Sequence, residues 1–230
     1  MKKPVPKILD LFFSFYSIVL YFTLVTAFFS PFSPVFKLLI FVFVIYIQPP
    51  LIWRLLHIYY GPVPKVSYLG VKTDSGNLWY LAHKLQEPFE TFQVLERFLR
   101  TIPGLYSSWL RLWGAQIGKK VNWTSGCKLV DRPHIHIGDR SLIGNMSYLS
   151  AHAIKKKDNK YILYVKDVLI GNDVVISYSV TIAPGVVIKS KAFIDSGAVV
   201  YPNDLIEEGQ KYERFEELLN DRFNFLLKRD

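Results

Sequence analysis

The chain has 230 residues, 28 Lys and Arg against 19 Asp and Glu, and a formal charge of +9. Half of it is apolar, 16% is aromatic and only 20% is charged, which excludes intrinsic disorder and a collagen-like composition. A single cysteine excludes an intrachain disulfide and any zinc site built from several thiolates.

Two long apolar runs open the chain. Residues 8–29 hold one charged residue, Asp10, and are long enough to cross a hydrocarbon core of roughly 30 Å. Residues 35–58 form the second run, interrupted by Lys37, Gln48, Pro49, Pro50, Arg54 and His57. Ser30-Pro31-Phe32-Ser33-Pro34 breaks helix between them, so residues 1–60 read as a transmembrane helical hairpin. Lys2, Lys3 and Lys7 precede the first helix, and Arg54, Lys65 and Lys72 follow or end the second. Positive-inside bias then places both termini in the cytoplasm and the protein in the cytoplasmic membrane as a multi-pass component. Trp53, Tyr59 and Tyr60 fit an interfacial aromatic belt. Pro49-Pro50 predicts a kink, and a hairpin that dips in without crossing is the alternative. Asp10 reads as an interfacial or helix-N-terminal carboxylate before it reads as an intramembrane functional one.

Residues 61–113 read as a connector. Residues 61–75 are rich in turn formers. Leu78, Leu81, Leu85, Phe89, Phe92, Leu95, Phe98 and Leu99 recur at helical spacing until Pro103-Gly104 ends the run. Tyr106 to Trp113 predicts a short aromatic helix that packs on the core or lies on a membrane, with packing the preferred reading.

From Ile117 the period becomes six. The markers are Ile117, Trp123 and Leu129, then Ile137, Ile143 and Leu149, then Ile170, Ile176, Ile182, Ile188, Ile194 and Val200. Small or β-branched residues follow four positions later at Val121, Cys127, Val174, Val180, Val186, Ala192 and Ala198. A six-residue period predicts a β-helix, a prism with one aliphatic per flat face, over residues 114–204. Residues 152–167 lack the repeat and are expected to leave the prism as a loop. Residues 205–230 carry an apolar stripe and predict a C-terminal helix that caps the prism.

The hexads, with IGDRSLIGNMSYLSAHAI (137–154) before the interruption and VLIGNDVVISYSVTIAPGVVIKSKAFIDSGAVV (168–200) after it, resemble the hexapeptide-repeat acyltransferase superfamily. That resemblance covers residues 109–204, and the lead-in Trp109 to Gly118 is similar to the start of its sugar acetyltransferase and polymer-modifying branches. It implies an all-β, left-handed parallel β-helix, and a homotrimer with active sites between neighbouring prisms. It implies acyl-CoA, or an acyl carrier protein, as co-substrate and no bound cofactor. It places a general-base histidine at the mouth of the extruded loop, and His152 stands there. An imidazole suits that step because it takes and returns a proton near neutral pH. The helper asparagine of some sugar acetyltransferases has no counterpart: Thr124 falls near its place, with Asn122 close by.

Lys155 and Lys156, in the run that ends at Lys157, are donor-binding candidates. Phosphates of coenzyme A, an acidic carrier protein, anionic lipid headgroups and a plain solvated face all fit such a run. Asn172, Ser177 and Ser179 lie where the family lays the pantetheine arm. His134 and His136 share a strand face and read as solvent-facing residues of the prism wall. The alternative is metal binding with His152, as in γ-type carbonic anhydrases of the same fold, but the spacing differs and no metal is expected. Asp131 and Asp139 read as turn residues either of which could orient a histidine. Cys127 holds a repeat position and reads as core. The positive charge is explained by membrane flanks and loop, so no nucleic-acid partner is expected. The predicted activity is acyl transfer to a membrane-associated lipid, glycan or amphipathic acceptor. The rivals are a non-catalytic scaffold, an accessory subunit of a membrane synthetase or exporter, and a γ-type carbonic anhydrase.

Overall fold

The computed structural model describes residues 4–69 and 76–213. Its hexads close into three parallel sheets. The first sheet carries Trp123, Ile143, Ile176, Ile194 and Tyr212 in register. The second stacks Leu129, Leu149, Ile182 and Val200. The third stacks Ile117, Ile137, Ile170, Ile188 and Ile206. The fold is a left-handed parallel β-helix. Each column is a line of side chains facing the prism axis, aliphatic apart from Trp123 and Tyr212 at the two ends of the first, and from Ile137 to Ile206 every marker is at most 5% exposed. Truncating one opens a cavity between two rungs, because neighbours above and below are held by ladder hydrogen bonds and relax little. Ile176→Ala, at 0% exposure between Ile143 and Ile194, is expected to cost about 2–5 kcal/mol in a denaturant titration.

Two departures from the six-residue step fall at one corner, between the second and third sheets. Leu129 and Ile137 are eight residues apart, and the surplus forms a 3-10 turn, Arg132–His134. Between Leu149 and Ile170 the surplus is longer. It is a β-hairpin, where the sequence suggested a loop: His152–Lys157 pairs antiparallel with Lys160–Val165. Its two-residue turn, Asp158 and Asn159, takes φ 47 and 59, the left-handed geometry that matches strand twist in tight hairpins. Residues 61–75, read as connector alone, supply a third strand, Val66–Leu69, beside Lys160–Val165.

The C-terminal helix predicted from residue 205 does not begin there. Leu205–Ile206 and Lys211–Tyr212 are two further rungs. Ile206 prolongs the six-residue series beyond Val200, and its burial against Ile188 outweighs the helical stripe. The rest of that stretch, 214–230, lies outside the described residues.

Of the N-terminal runs, α1 (Lys7–Ser14) and α2 (Tyr16–Phe29) are bent by 42° at Phe15 and are long and apolar enough to cross a bilayer only as a pair. Pro34–Tyr60 is a 27-residue apolar helix long enough to cross alone, and its most apolar window is 17% buried. Its parts are α3 (Pro34–Val42), a π-helical turn (Phe43–Ile47) and α4 (Gln48–Tyr60). Pro49-Pro50 is absorbed within this helix. The wider π turn sits where the proline rings would meet the preceding carbonyls, and Trp109 Nε1–H donates to Tyr46 O at 2.9 Å, the carbonyl that Pro50 leaves without its N–H. Large apolar residues such as Phe12, Phe22, Phe29, Leu38 and Ile58 stay exposed on these helices.

The predicted helices of the connector are α5 (Leu78–Thr91), α6 (Val94–Arg100) and α7 (Leu105–Trp113). Asn77 caps α5 through Oδ1, which accepts from Trp79 N and Tyr80 N. The aromatic helix α7 packs inward, with Tyr106, Trp109, Leu110 and Trp113 buried. Arg54 ties α4 to it by donating to Leu112 O and Arg111 O, two carbonyls at the end of α7. One continuous apolar core therefore runs from Trp53 through α5 and α7 into the prism.

Candidate active site

The corner that sheds both insertions places Asp131 and His152 one rung apart. Lys128–Val130 and Tyr148–Ser150 are paired strands, and the chain leaves the prism just after each. Asp131 turns in a left-handed conformation, φ 61 and ψ 52, which aspartate tolerates better than most residues. Its carboxylate is 2% exposed and fully used. Oδ2 accepts from His152 Nδ1–H at 2.6 Å and from Ala151 N–H at 3.2 Å; Oδ1 accepts from Trp79 Nε1–H at 2.7 Å. Burial alone would raise the Asp131 carboxyl, but the hydrogen bond and charge of His152 and the indole N–H outweigh it and hold it below the ordinary carboxylate range.

This bond fixes the chemistry of the imidazole. With its proton on Nδ1, His152 has its free electron pair on Nε2, and an adjacent carboxylate stabilises the ring when Nε2 takes a second proton. The side chain is 18% exposed, so it is both sheltered and reachable. Trp79 lies against it with ring centres 4.7 Å apart, and His83 stacks on Trp79 at 5.0 Å and stands 6.3 Å from the His152 ring. Ser150 closes the near side, with Oγ donating to His152 O at 3.0 Å.

Asp131 therefore orients His152, the role the sequence left open between it and Asp139. Asp139 accepts Lys119 N–H at 2.7 Å at another corner, and Thr124 Oγ1 donates to Ile143 O at 2.9 Å. Trp79 and His83 were missed in the sequence because they sit at ordinary core spacing on α5. A Trp and a His at i and i+4 were the only available signal.

The other candidate residues spread out. Lys155 and Lys156 are exposed on the hairpin and face opposite ways, so only Lys156 shares the strand face of His152. Asn172 stands at the corner between the third and first sheets, where its Oδ1 accepts Asp139 N–H at 2.7 Å. Ser177 and Ser179 stand at the corner between the first and second sheets, Ser179 with φ 57. Within one chain, none of these three is brought to the corner of His152.

His134 and His136 are not solvent-facing. Their side chains are 14% and 17% exposed, and both face Asp167, His134 Nδ1 at 2.7 Å and His136 Nε2 at 3.8 Å. The hydrogen bond from His134, with the His136 ring close by, pushes the Asp167 carboxyl far below the ordinary range. His136 Nδ1 also accepts Gln116 N–H at 2.9 Å, so its ring is committed to the fold. Among the described residues, no group of three His, Cys, Asp or Glu side chains could hold a metal ion. Cys127 is buried, and that burial pushes its thiol up to about 11, consistent with a packing residue.

Outside the two insertions, each face of the prism follows the last by six residues. The chain carries the hexapeptide-repeat fold. A maltose O-acetyltransferase from Clostridium difficile 630 is 19% identical, with a TM-score of 0.37, over 54% of this chain and 80% of that one. A hexapeptide-repeat-containing acetyltransferase from Vibrio cholerae O1 biovar eltor, solved with acetyl coenzyme A, is 16% identical with a TM-score of 0.42, over 54% of this chain and 82% of that one. A galactoside acetyltransferase in complex with coenzyme A is 21% identical with a TM-score of 0.34, over 54% and 84%. No protein-family model matches the sequence. No curated protein sequence matches it either.

Proposed function

We propose that this protein is a membrane-anchored acyltransferase of the hexapeptide-repeat class, moving an acyl group from a thioester of coenzyme A or of an acyl carrier protein to a hydroxyl or amine at the membrane. The observation that carries this reading is the buried Asp131 carboxylate 2.6 Å from His152, at the mouth of the extruded hairpin. His152 Nε2 takes the proton of the acceptor as its oxygen or nitrogen attacks the thioester carbonyl. The tetrahedral adduct collapses, the carbon–sulfur bond breaks, and the imidazolium returns the proton to the leaving thiolate. Asp131 keeps the ring in the productive tautomer and offsets its transient charge.

The anchor in this reading is the N-terminal pair of apolar runs, with both termini in the cytoplasm by the positive-inside rule. The acyltransferase resemblance supports a homotrimer. Apposed prisms would bring corners of different chains together, and Lys155, Lys156, Asn172, Ser177 and Ser179 remain the donor-side candidates.

The test is mass spectrometry of the lipid and glycoconjugate pool from cells with the wild-type protein, with His152→Ala and with none. A species heavier by one acyl group is expected with the wild type alone. An identical pool in all three, with the wild-type phenotype retained by His152→Ala, would replace this reading by the scaffold one.

A further inference from the structure

A cleft of about 940 Å³ lies between α1, the strand Val66–Leu69 and α5, within the size range of small-molecule sites, roughly 300–1,000 Å³. Its apolar walls include Ile8 and Leu11 of α1 and Tyr68 and Leu69 of the strand, and it reaches Trp79 and His83. Trp79 donates to Asp131 Oδ1, and the Trp79 and His83 rings pack on His152. An unbroken chain of contacts thus joins the cleft to the proposed base.

Much of the polar lining already has partners within the chain. Asp10 Oδ1 accepts Asn77 N–H at 3.1 Å, the Ser14 and Tyr80 hydroxyls are 2.9 Å apart, and Lys84 pairs with Glu87 at 3.2 Å. What the cleft offers a ligand is mainly apolar surface, with an indole and an imidazole on α5. A free sugar, whose hydroxyls need partners on every side, gains little there; an aliphatic chain gains its burial. The α1 wall is itself continuous with the exposed apolar surface of Phe12 and Phe15, and Ile8 and Leu11 are 55% and 56% exposed.

We propose that this cleft seats the acceptor, and that the acceptor is an amphiphile with an aliphatic chain along Ile8, Leu11 and Leu69 and its nucleophilic hydroxyl or amine toward Trp79 and His83. It enters from the bilayer past α1. This rests on the acyltransferase reading and names the substrate class for it.

The test uses the full chain in lipid nanodiscs and a diazirine-bearing dodecanol as the probe. Photolabelling is expected at Tyr68 and Leu69 and within Trp79 to His83, saturable and competed by 1-dodecanol. Leu11→Glu, and separately Ile8→Glu, are expected to lower that labelling at least about tenfold, because a charge replaces exposed apolar wall without touching the core. His152→Ala is expected to leave it unchanged. Labelling confined to the outer faces of α1 to α4, or insensitive to both charged variants, overturns the cleft. Acyl transfer from acetyl-CoA to 1-dodecanol is followed in parallel. Transfer to water-soluble acceptors without labelling in the cleft sinks the cleft and leaves the enzyme standing. Labelling with no transfer by the wild type to any acceptor sinks the enzyme reading, and with it the acceptor role.

Discussion

His152→Ala is expected to lower the rate of acyl transfer by about 10²–10⁴ while leaving the thermal unfolding profile close to that of the wild type. In the proposed mechanism that magnitude is the loss of general-base help at the acceptor. Donor binding and positioning survive, so a residual rate above the uncatalysed one should persist. The side chain lies outside the prism axis and is partly exposed, so its removal opens no core cavity. Asp131→Asn separates base from orienter. The amide cannot accept from Trp79, Ala151 and His152 together as the carboxylate does, and it favours the wrong tautomer of the ring. The loss should fall on kcat rather than KM, because Asp131 is 2% exposed and bonded within the chain, so it acts through the ring of His152. A kcat unchanged in both variants, measured with labelled acetyl-CoA in nanodiscs, would remove the dyad from the mechanism.

The same carboxylate has a stability consequence with a defined sign. Asp131 is held below its ordinary value of 3.8 in the folded protein. Its contribution is therefore present above the unfolded value and is lost as pH falls through the folded one. Asp131→Asn should flatten that part of the acid-unfolding curve.

Arg132→Ala is expected to be the most destabilising single change outside the prism axis, at about 3–5 kcal/mol, or roughly 6–20 °C in Tm for a chain of this size. Arg132 is 1% exposed and lies beside Asp131 in sequence. Its Nε donates to Glu96 Oε1 at 2.6 Å and its Nη1 to Gln86 Oε1 at 3.0 Å, and Gln86 Oε1 also accepts the Arg132 backbone N–H. The guanidinium lies 5.4 Å from the Phe89 ring and 5.8 Å from Trp109. Removing it leaves Gln86 short of a partner and Glu96 Oε1 without its cation, while Oε2 keeps Arg100 and the Tyr106 hydroxyl. Glu96→Gln should destabilise as well, since both arginines then lose their counter-charge. A Tm unchanged in Arg132→Ala, followed by differential scanning calorimetry in one detergent, would show that these elements are joined by apolar contact alone.

Arg132 also shows where reading the sequence stopped. It was one more charge in an irregular stretch, with nothing to say that α5 and α6 would supply Gln86 and Glu96. The hexads were different. Each marker repeats the same demand, a large apolar side chain at one face of one rung, and twelve such demands admit a single periodic answer. The extension to Ile206 and Tyr212 satisfied that period too, but a helical stripe competed with it there. Rung pairing decided in favour of the prism.

The prism, its corner residues, the break before α7 and the position of His152 at the mouth of an insertion are all written along the chain. Those features are local and periodic, so the chain states them without knowing its neighbours. The surroundings of His152 come from packing between distant segments. Asp131 lies 21 residues away and Trp79 73 residues away. They meet because two insertions of unequal length leave the prism at one corner and because α5 packs across that corner. Such a meeting is set by how rungs stack and how a helix docks, and no spacing along the chain encodes either.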